Sequence, residues 1–123
     1  MSATENNIFI IENLTHSDGK VNVTLVVNPG SDILKGHFPG QPVVPGACML
    51  QLVKDVLETV LKNKLRLKKA QQVKFMNIVV PGDDHLRLSI SFTNAEDSSF
   101  SVQASMTNNE MVCFKFQGSF LTL

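Results

Sequence analysis

Between Ala47 and Leu61 the chain repeats apolar residues at helical spacing: Ala47, Met49, Leu50, Val53, Val56, Leu57, Val60 and Leu61. Cys48 and Leu52 widen that arc, and the polar positions are Gln51, Lys54, Asp55, Glu58, Lys62 and Asn63. The pattern predicts a helix from about Pro45 to Asn63, with proline at its first position, where the missing N–H costs nothing. Such a helix carries far more apolar surface than an exposed helix can. Its burial needs a sheet wrapped around it.

Strand patterns supply that sheet. Ile8 to Leu14 reads as a strand, apolar at Ile8 and Ile10, and Lys20 to Val27 alternates with Val21, Val23, Leu25 and Val27 on one face. The turn Thr15-His16-Ser17-Asp18-Gly19 joins them into a hairpin and leaves His16 in solvent. Asn28-Pro29-Gly30 stops the second strand, and Ser31 to Leu34 makes a short helical turn. After the helix, strands are expected over Ala70–Val80, Leu86–Asn94, Phe100–Thr107 and Met111–Leu121. Pro81-Gly82-Asp83-Asp84 and Ala95-Glu96-Asp97-Ser98 serve as turns, and Asn108-Asn109 is a hairpin signal. The order predicts an α+β fold: one long helix on an antiparallel sheet of five to six strands, the last four forming a meander.

At 123 residues the chain has room for one domain, 1–123, with a flexible N-terminus over residues 1–7. Eleven basic and eleven acidic side chains cancel, which removes the broad electrostatic support a nucleic-acid partner needs. The basic cluster Lys62, Lys64, Arg66, Lys68 and Lys69 is read as solvating a helix end and loop, or as meeting an acidic protein partner. Cys48 and Cys113 sit in apolar runs without Cys-x-x-Cys spacing, as buried free thiols would. A polar N-terminus and the lack of a membrane-length apolar run point to the cytoplasm. His16, His37 and His85 show no metal-ligand spacing, and there is no glycine-rich nucleotide loop, so neither metal nor nucleotide is expected.

Just before the helix, Gly36-His37-Phe38-Pro39-Gly40-Gln41-Pro42-Val43-Val44-Pro45-Gly46 puts three glycines, three prolines and a histidine into eleven residues. Proline fixes φ and glycine admits angles closed to other residues, so this composition specifies one loop shape. A loop that must hold an imidazole beside a helix start needs that specification.

This stretch closely resembles the signature Gly-His-Phe-Pro-Gly-x-Pro-x-x-Pro-Gly of the hot-dog-fold 3-hydroxyacyl-[acyl carrier protein] dehydratases. Val73-Lys74-Phe75, Val79-Val80-Pro81-Gly82-Asp83 and Leu86-Arg87-Leu88 extend the likeness, which runs from about Ile8 to the C-terminus. The resemblance implies a hot-dog fold, a central helix enclosed by a curved antiparallel sheet. Two chains would pair edge to edge, as a homodimer, a trimer of dimers or a heterodimer with a homologous chain. A 3-hydroxyacyl group on the phosphopantetheine arm of an acyl carrier protein would enter a tunnel at that interface, with no further cofactor. His37 would be the catalytic base. Phe38, Pro39, Gly40, Val44, Pro45 and Gly46 would bind substrate, with backbone N–H groups at Gly46 meeting the thioester carbonyl.

In that family a carboxylate stands five residues after the last glycine of the signature. Here the position holds Gln51. Hydroxide leaves poorly, so the 3-hydroxyl must gain a proton or strong hydrogen bonds, and an amide has no comparable acidity. Asp55, one helical turn beyond Gln51, is the substitute acid to test. Glu58, Asp83 and Asp84 fit solvated faces, and His85 beside Asp84 reads as surface. The leading expectation is a hydro-lyase of fatty acid or related acyl-chain biosynthesis, forming a trans-2-enoyl thioester. The alternatives are a non-catalytic acyl-binding or scaffold subunit paired with a homologous dehydratase chain and, third, an acyl thioesterase.

Overall fold

The structure is a computed structural model that describes residues 8–28, 30, 46–80, 85–95 and 98–123. Its elements are β1 (Phe9–Ser17), β2 (Lys20–Val27), α1 (Gly46–Leu61), β3 (Leu65–Phe75), β4 (Leu86–Asn94), β5 (Ser99–Asn108) and β6 (Met111–Thr122). The six strands form one sheet in the order β1-β2-β4-β5-β6-β3, every neighbouring pair antiparallel. This is the expected α+β arrangement. The calls at Pro29, Ser31–Leu34, His37–Pro45, Asp83 and Asp84 lie outside the described residues.

The helix and the sheet share one core. Leu52, Val53, Val56 and Leu57 are fully buried, and Cys48 and Met49 join them. Facing them are Val21, Val23 and Leu25 of β2, Leu86, Leu88 and Ile90 of β4, Val102 and Met106 of β5, and Phe114, Phe116 and Phe120 of β6. Alternation in β2, β4 and β5 therefore puts the expected residues inside. The helix stops at Leu61, two residues early. Lys62 turns left-handed at φ 58° and donates its N–H to the Glu58 carbonyl at 2.9 Å. Ala47, assigned to the apolar face, is exposed.

Two-residue turns close the β1–β2 and β5–β6 hairpins. Asp18 and Gly19 both have positive φ (53° and 75°), as do Asn109 and Glu110 (50° and 70°), the twist that fits right-handed strand pairs. His16 is exposed as expected. It belongs to β1 rather than the turn, opposite Val21, with its ring 5.7 Å from that of Phe92.

Three expectations change. In β1 the pairing shifts between Ile11 and Asn13, and the core side is taken by Phe9 and Ile11, with Ile10 only half-buried. The strand after the helix runs Leu65–Phe75, not Ala70–Val80, so Arg66, Lys68 and Lys69 lie on a strand rather than a helix end and loop. That strand pairs with β6, across the sheet from β4, which reduces the four-strand meander to β4-β5-β6. Bulges explain why β3 was misread: its register shifts between Leu67 and Lys69 and again between Ala70 and Gln72. Each extra residue reverses which face the following side chains take, erasing a period of two.

Gly118 of β6 sits opposite Ala70 between those shifts. A Cβ there would press on the Lys69 carbonyl oxygen and lie 2.6 Å from Phe116 Cζ and 3.2 Å from Ala70 Cα. Backbone atoms of a paired strand cannot swing aside. Gly118→Ala is expected to cost about 1–3 kcal/mol, read as a lowered urea midpoint with unchanged slope.

Candidate active site

The first two turns of α1 carry the described half of the site. Gly46 opens the helix, and its first backbone N–H groups have no partner within the helix, so they offer donors and positive potential. Over this start lies Phe75, the last residue of β3: a Cβ on Gly46 would meet its ring carbons at 2.8, 2.9 and 3.1 Å. Phe75 stacks in turn on Phe114, centroids 5.5 Å apart and planes 29° apart. A side chain at position 46 would therefore have to push the half-exposed Phe75 ring aside.

Beyond Phe75 the chain leaves the sheet and is hung on β6. Met76 donates its N–H to the Cys113 carbonyl at 3.0 Å, and Asn77 Nδ2 donates to the Val112 carbonyl at 2.6 Å. Val79 points inward and is fully buried, whereas Phe75, Met76, Ile78 and Val80 are exposed, Ile78 by 71%. Four large apolar side chains exposed within six residues form a patch larger than isolated surface hydrophobics usually do. The expected strand over Val79 and Val80 is absent, although Val79 does belong to the core.

Gln51 is half-buried on the helix flank, and its Nε2 donates to Asp55 Oδ1 at 2.9 Å. Asp55 Oδ2 is also shielded from solvent. The structure therefore brings Gln51 and Asp55 together as one hydrogen-bonded pair. Glu58 does not fit the expected solvated face. It is part-buried, its Oε2 accepts the Leu65 N–H at 2.7 Å, and Lys54 Nζ lies 3.9 Å away. Glu58 ties the helix end to the first residue of β3, a structural task that residue type alone did not signal.

Cys48 and Cys113 are free and buried. Burial pushes the Cys48 thiol up, which disfavours the thiolate a nucleophile needs. The Cys113 thiol lies 3.4 Å from the Met106 carbonyl oxygen, to which it donates. His85 is exposed at the start of β4, and its carbonyl accepts the Asn109 N–H at 3.3 Å. It lines a groove of about 760 Å³ with Glu12, Thr24, Arg87, Thr107 and Glu110, one that touches neither Gln51 nor Asp55. Lys62, Lys64, Arg66, Lys68 and Lys69 are exposed from the helix end along β3. Among the described residues no group of three or more His, Cys, Asp or Glu side chains could hold a metal ion, and no helix is long and apolar enough to cross a membrane. His37, Phe38, Pro39, Gly40, Val44 and Pro45 lie outside the described residues.

The ApeI-like family, described as ApeI dehydratase, matches residues 13–115. The chain belongs to that family. The ApeI-like match supports the dehydratase resemblance at the level of the wider family. No curated protein sequence matches the chain significantly. Among solved structures, the dehydratase heterocomplex ApeI:P from Xenorhabdus doucetiae is similar at TM-score 0.69 and 18% identity, covering 91% of this chain and 96% of that one. An uncharacterized protein from Erwinia carotovora subsp. atroseptica superposes at TM-score 0.63 and 25% identity, covering 93% and 92%. A hypothetical thioesterase protein with coenzyme A from Streptococcus pneumoniae does so at TM-score 0.66 and 16% identity, covering 99% and 92%. These likenesses establish the hot-dog fold, with one helix against a curved six-stranded antiparallel sheet.

The contact at Gly46 can be tested directly. Gly46→Ala should lower the melting temperature, because the new methyl drives the Phe75 ring from its place. In a Phe75→Ala background the same change should cost nothing further, a non-additivity that melts of the four chains will show.

Proposed function

We propose that this ApeI-like chain is a dehydratase-type subunit acting on 3-hydroxyacyl thioesters carried by the phosphopantetheine of an acyl carrier protein. The observation that carries the reading is the family match, combined with a helix that opens at Gly46 and presents a half-buried Gln51 five residues later. In the proposed reaction His37 removes the C2 proton as the thioester carbonyl gathers enolate charge. Backbone N–H groups at the Gly46 end of α1 receive that charge. The C3–O bond then breaks with its electron pair on oxygen, which takes the proton back from the His37 imidazolium. Water and a trans-2-enoyl thioester result. Gln51 holds the hydroxyl by hydrogen bonding, without donating a proton.

Two features support a site completed by a second chain. β3 ends the sheet, is exposed along nearly its whole length, and carries exposed Leu67 and Phe75. An edge of eleven residues without proline is a template for pairing. The apolar side chains from Phe75 to Val80 lie beside it, where a second chain would cover them. Homodimer, trimer of dimers and heterodimer all use such an edge. The exposed basic side chains from Lys62 to Lys69 suit an acidic carrier protein, and the proposed setting is the cytoplasm.

A second reading is favoured by Gln51. The chain would be a non-catalytic subunit lending His37 to a homologous partner that supplies the carboxylate, an arrangement in keeping with the ApeI:P relative being a heterocomplex. Thioester hydrolysis is the third reading, and Gln51 argues against it, because activating water calls for a base.

The assay mixes purified protein with 3-hydroxyacyl-carrier protein and follows enoyl formation, while native mass analysis reports the assembly. Turnover by the chain alone, reduced by about 10²–10⁴ in His37→Ala, is the expected result. Turnover only after a homologous chain is added would move the conclusion to the second reading. No turnover in either case, or turnover indifferent to His37→Ala, overturns the dehydratase proposal.

A further inference from the structure

We propose that the outer face of β3, β6, β5 and β4 binds a phosphate ester of a polyhydroxylated compound, a sugar phosphate in chemical class. This face is turned away from α1, so the proposal goes beyond the dehydratase reading and does not rest on it. Pairing register lays its side chains out as a grid, because directly opposite residues on antiparallel strands project from the same face. One row runs Gln72, Gln117, Gln103 and Ser91 across the four strands. The next row runs Lys74, Lys115, Ser105 and Ser89 over the same strands. Neighbouring strands stand about 4.8 Å apart and the two rows about 7 Å apart, spacings that one sugar ring and its phosphate can bridge.

The grid lines a groove. Gln72, Gln103, Gln117, Ser91, Ser105 and Lys115 border about 340 Å³, within the range of small-molecule sites. A second groove of about 280 Å³ continues it, sharing Ser91, Gln103 and Gln117 and adding Thr93 and Ser101. Amide and hydroxyl groups both donate and accept, which suits a ligand whose hydroxyls do the same. No carboxylate of the described residues lines either groove. The groove of about 760 Å³ further along the same sheet differs, since it mixes Glu12 and Glu110 with Arg87. That balance of signs is what an ordinary solvated surface carries.

Charge places the anion. Lys74 and Lys115 are exposed and directly opposite each other, a like-charge pair of the kind that destabilises a sheet. Among the described residues neither forms an ion pair. An anion held between them converts the repulsion into two charge-assisted contacts. A phosphate monoester carries close to two charges near neutral pH, which matches two ammonium groups better than a carboxylate does. From there the glutamine row lies one step along the strands, within reach of hydroxyls on the same molecule. That row ends on a further cation, Lys20, opposite Ser91.

The test titrates the purified full chain with glucose 6-phosphate and myo-inositol 1-phosphate, read by backbone amide NMR shifts, with glucose and inorganic phosphate as controls. At least one ester is expected to bind with Kd near or below about 1 mM, and about tenfold more tightly than either control. The shifts should centre on the outward residues of β3, β6, β5 and β4. Lys74→Gln and Lys115→Gln should each weaken ester binding about tenfold without lowering the melting temperature, since each removes half of a repulsive pair. Lys54→Gln, on the helix, should leave binding unchanged. Should a lysine variant unfold, Gln103→Ala carries the test: it should weaken the ester and leave inorganic phosphate unaffected. No binding of either ester at about 10 mM overturns the proposal. So does an ester held no more tightly than inorganic phosphate, which would mean an adventitious ion only, or binding indifferent to Lys74 and Lys115. No step of the readout involves turnover, so the dehydratase reading can fail while this one stands, and the reverse.

Discussion

Burial of one face of α1 against the sheet is the constraint on which everything else here depends. Leu52, Val53, Val56 and Leu57 have no exposed surface, and each such side chain contributes about 1.5–3 kcal/mol against its exposed state. A helix so anchored cannot rotate about its axis without dragging those four residues into the polar rim. Rotation by one residue, about 100°, would carry Gln51 and Asp55 to a different surface of the protein. The core thus sets the direction in which the flanking amide points. Chemistry on the flank is only as well placed as the packing behind it.

The same constraint made much of the fold readable. Along β2, in β4 from Leu86 to Ile90 and in β5 from Val102 to Met106, buried residues fall on every second position because each strand has one face on the helix and one in water. Where a strand carries no extra residue of its own, composition reports the face. β1 and β3 broke the rule for a physical reason: each carries register shifts, one in β1 and two in β3. β3 also lacks a buried face along most of its length, so Arg66-Leu67-Lys68-Lys69-Ala70-Gln71-Gln72 had no pattern to show. A strand at the sheet edge, with one side unpaired within the chain and little buried surface, carries a pattern like that of a loop.

The candidate site was legible in a different way. The stretch Gly36 to Gly46 stands out in the sequence because its prolines and glycines recur at the spacing of a known signature, although all but Gly46 lie outside the described residues. Gln51 was visible as a departure at a known distance from Gly46. What could not be read was the relation between Gln51 and Asp55. Spacing of four allows contact on a helix, but a rotamer pointing into solvent satisfies the same spacing. Glu58 shows how little spacing decides: seven residues from Gln51, it went to the Leu65 backbone instead.

Gln51 and Asp55 also bear on what losing a carboxylate at the position after Gly46 means. An amide in that place cannot supply a proton, although it can hold a hydroxyl or a water by donating or accepting hydrogen bonds. A protonated carboxyl both donates and accepts, and it rotates to suit its ligand. Gln51 gives one N–H to Asp55 and keeps its second N–H and its carbonyl oxygen for other partners. The nearest carboxyl group, Asp55, stands one helical turn further on and is hydrogen-bonded to Gln51. On the dehydratase reading, the proton that the leaving hydroxyl needs must come from elsewhere in the assembled site. That requirement, together with the open β3 edge and the exposed apolar side chains from Phe75 to Val80, is what favours the proposal of a site completed by a second chain.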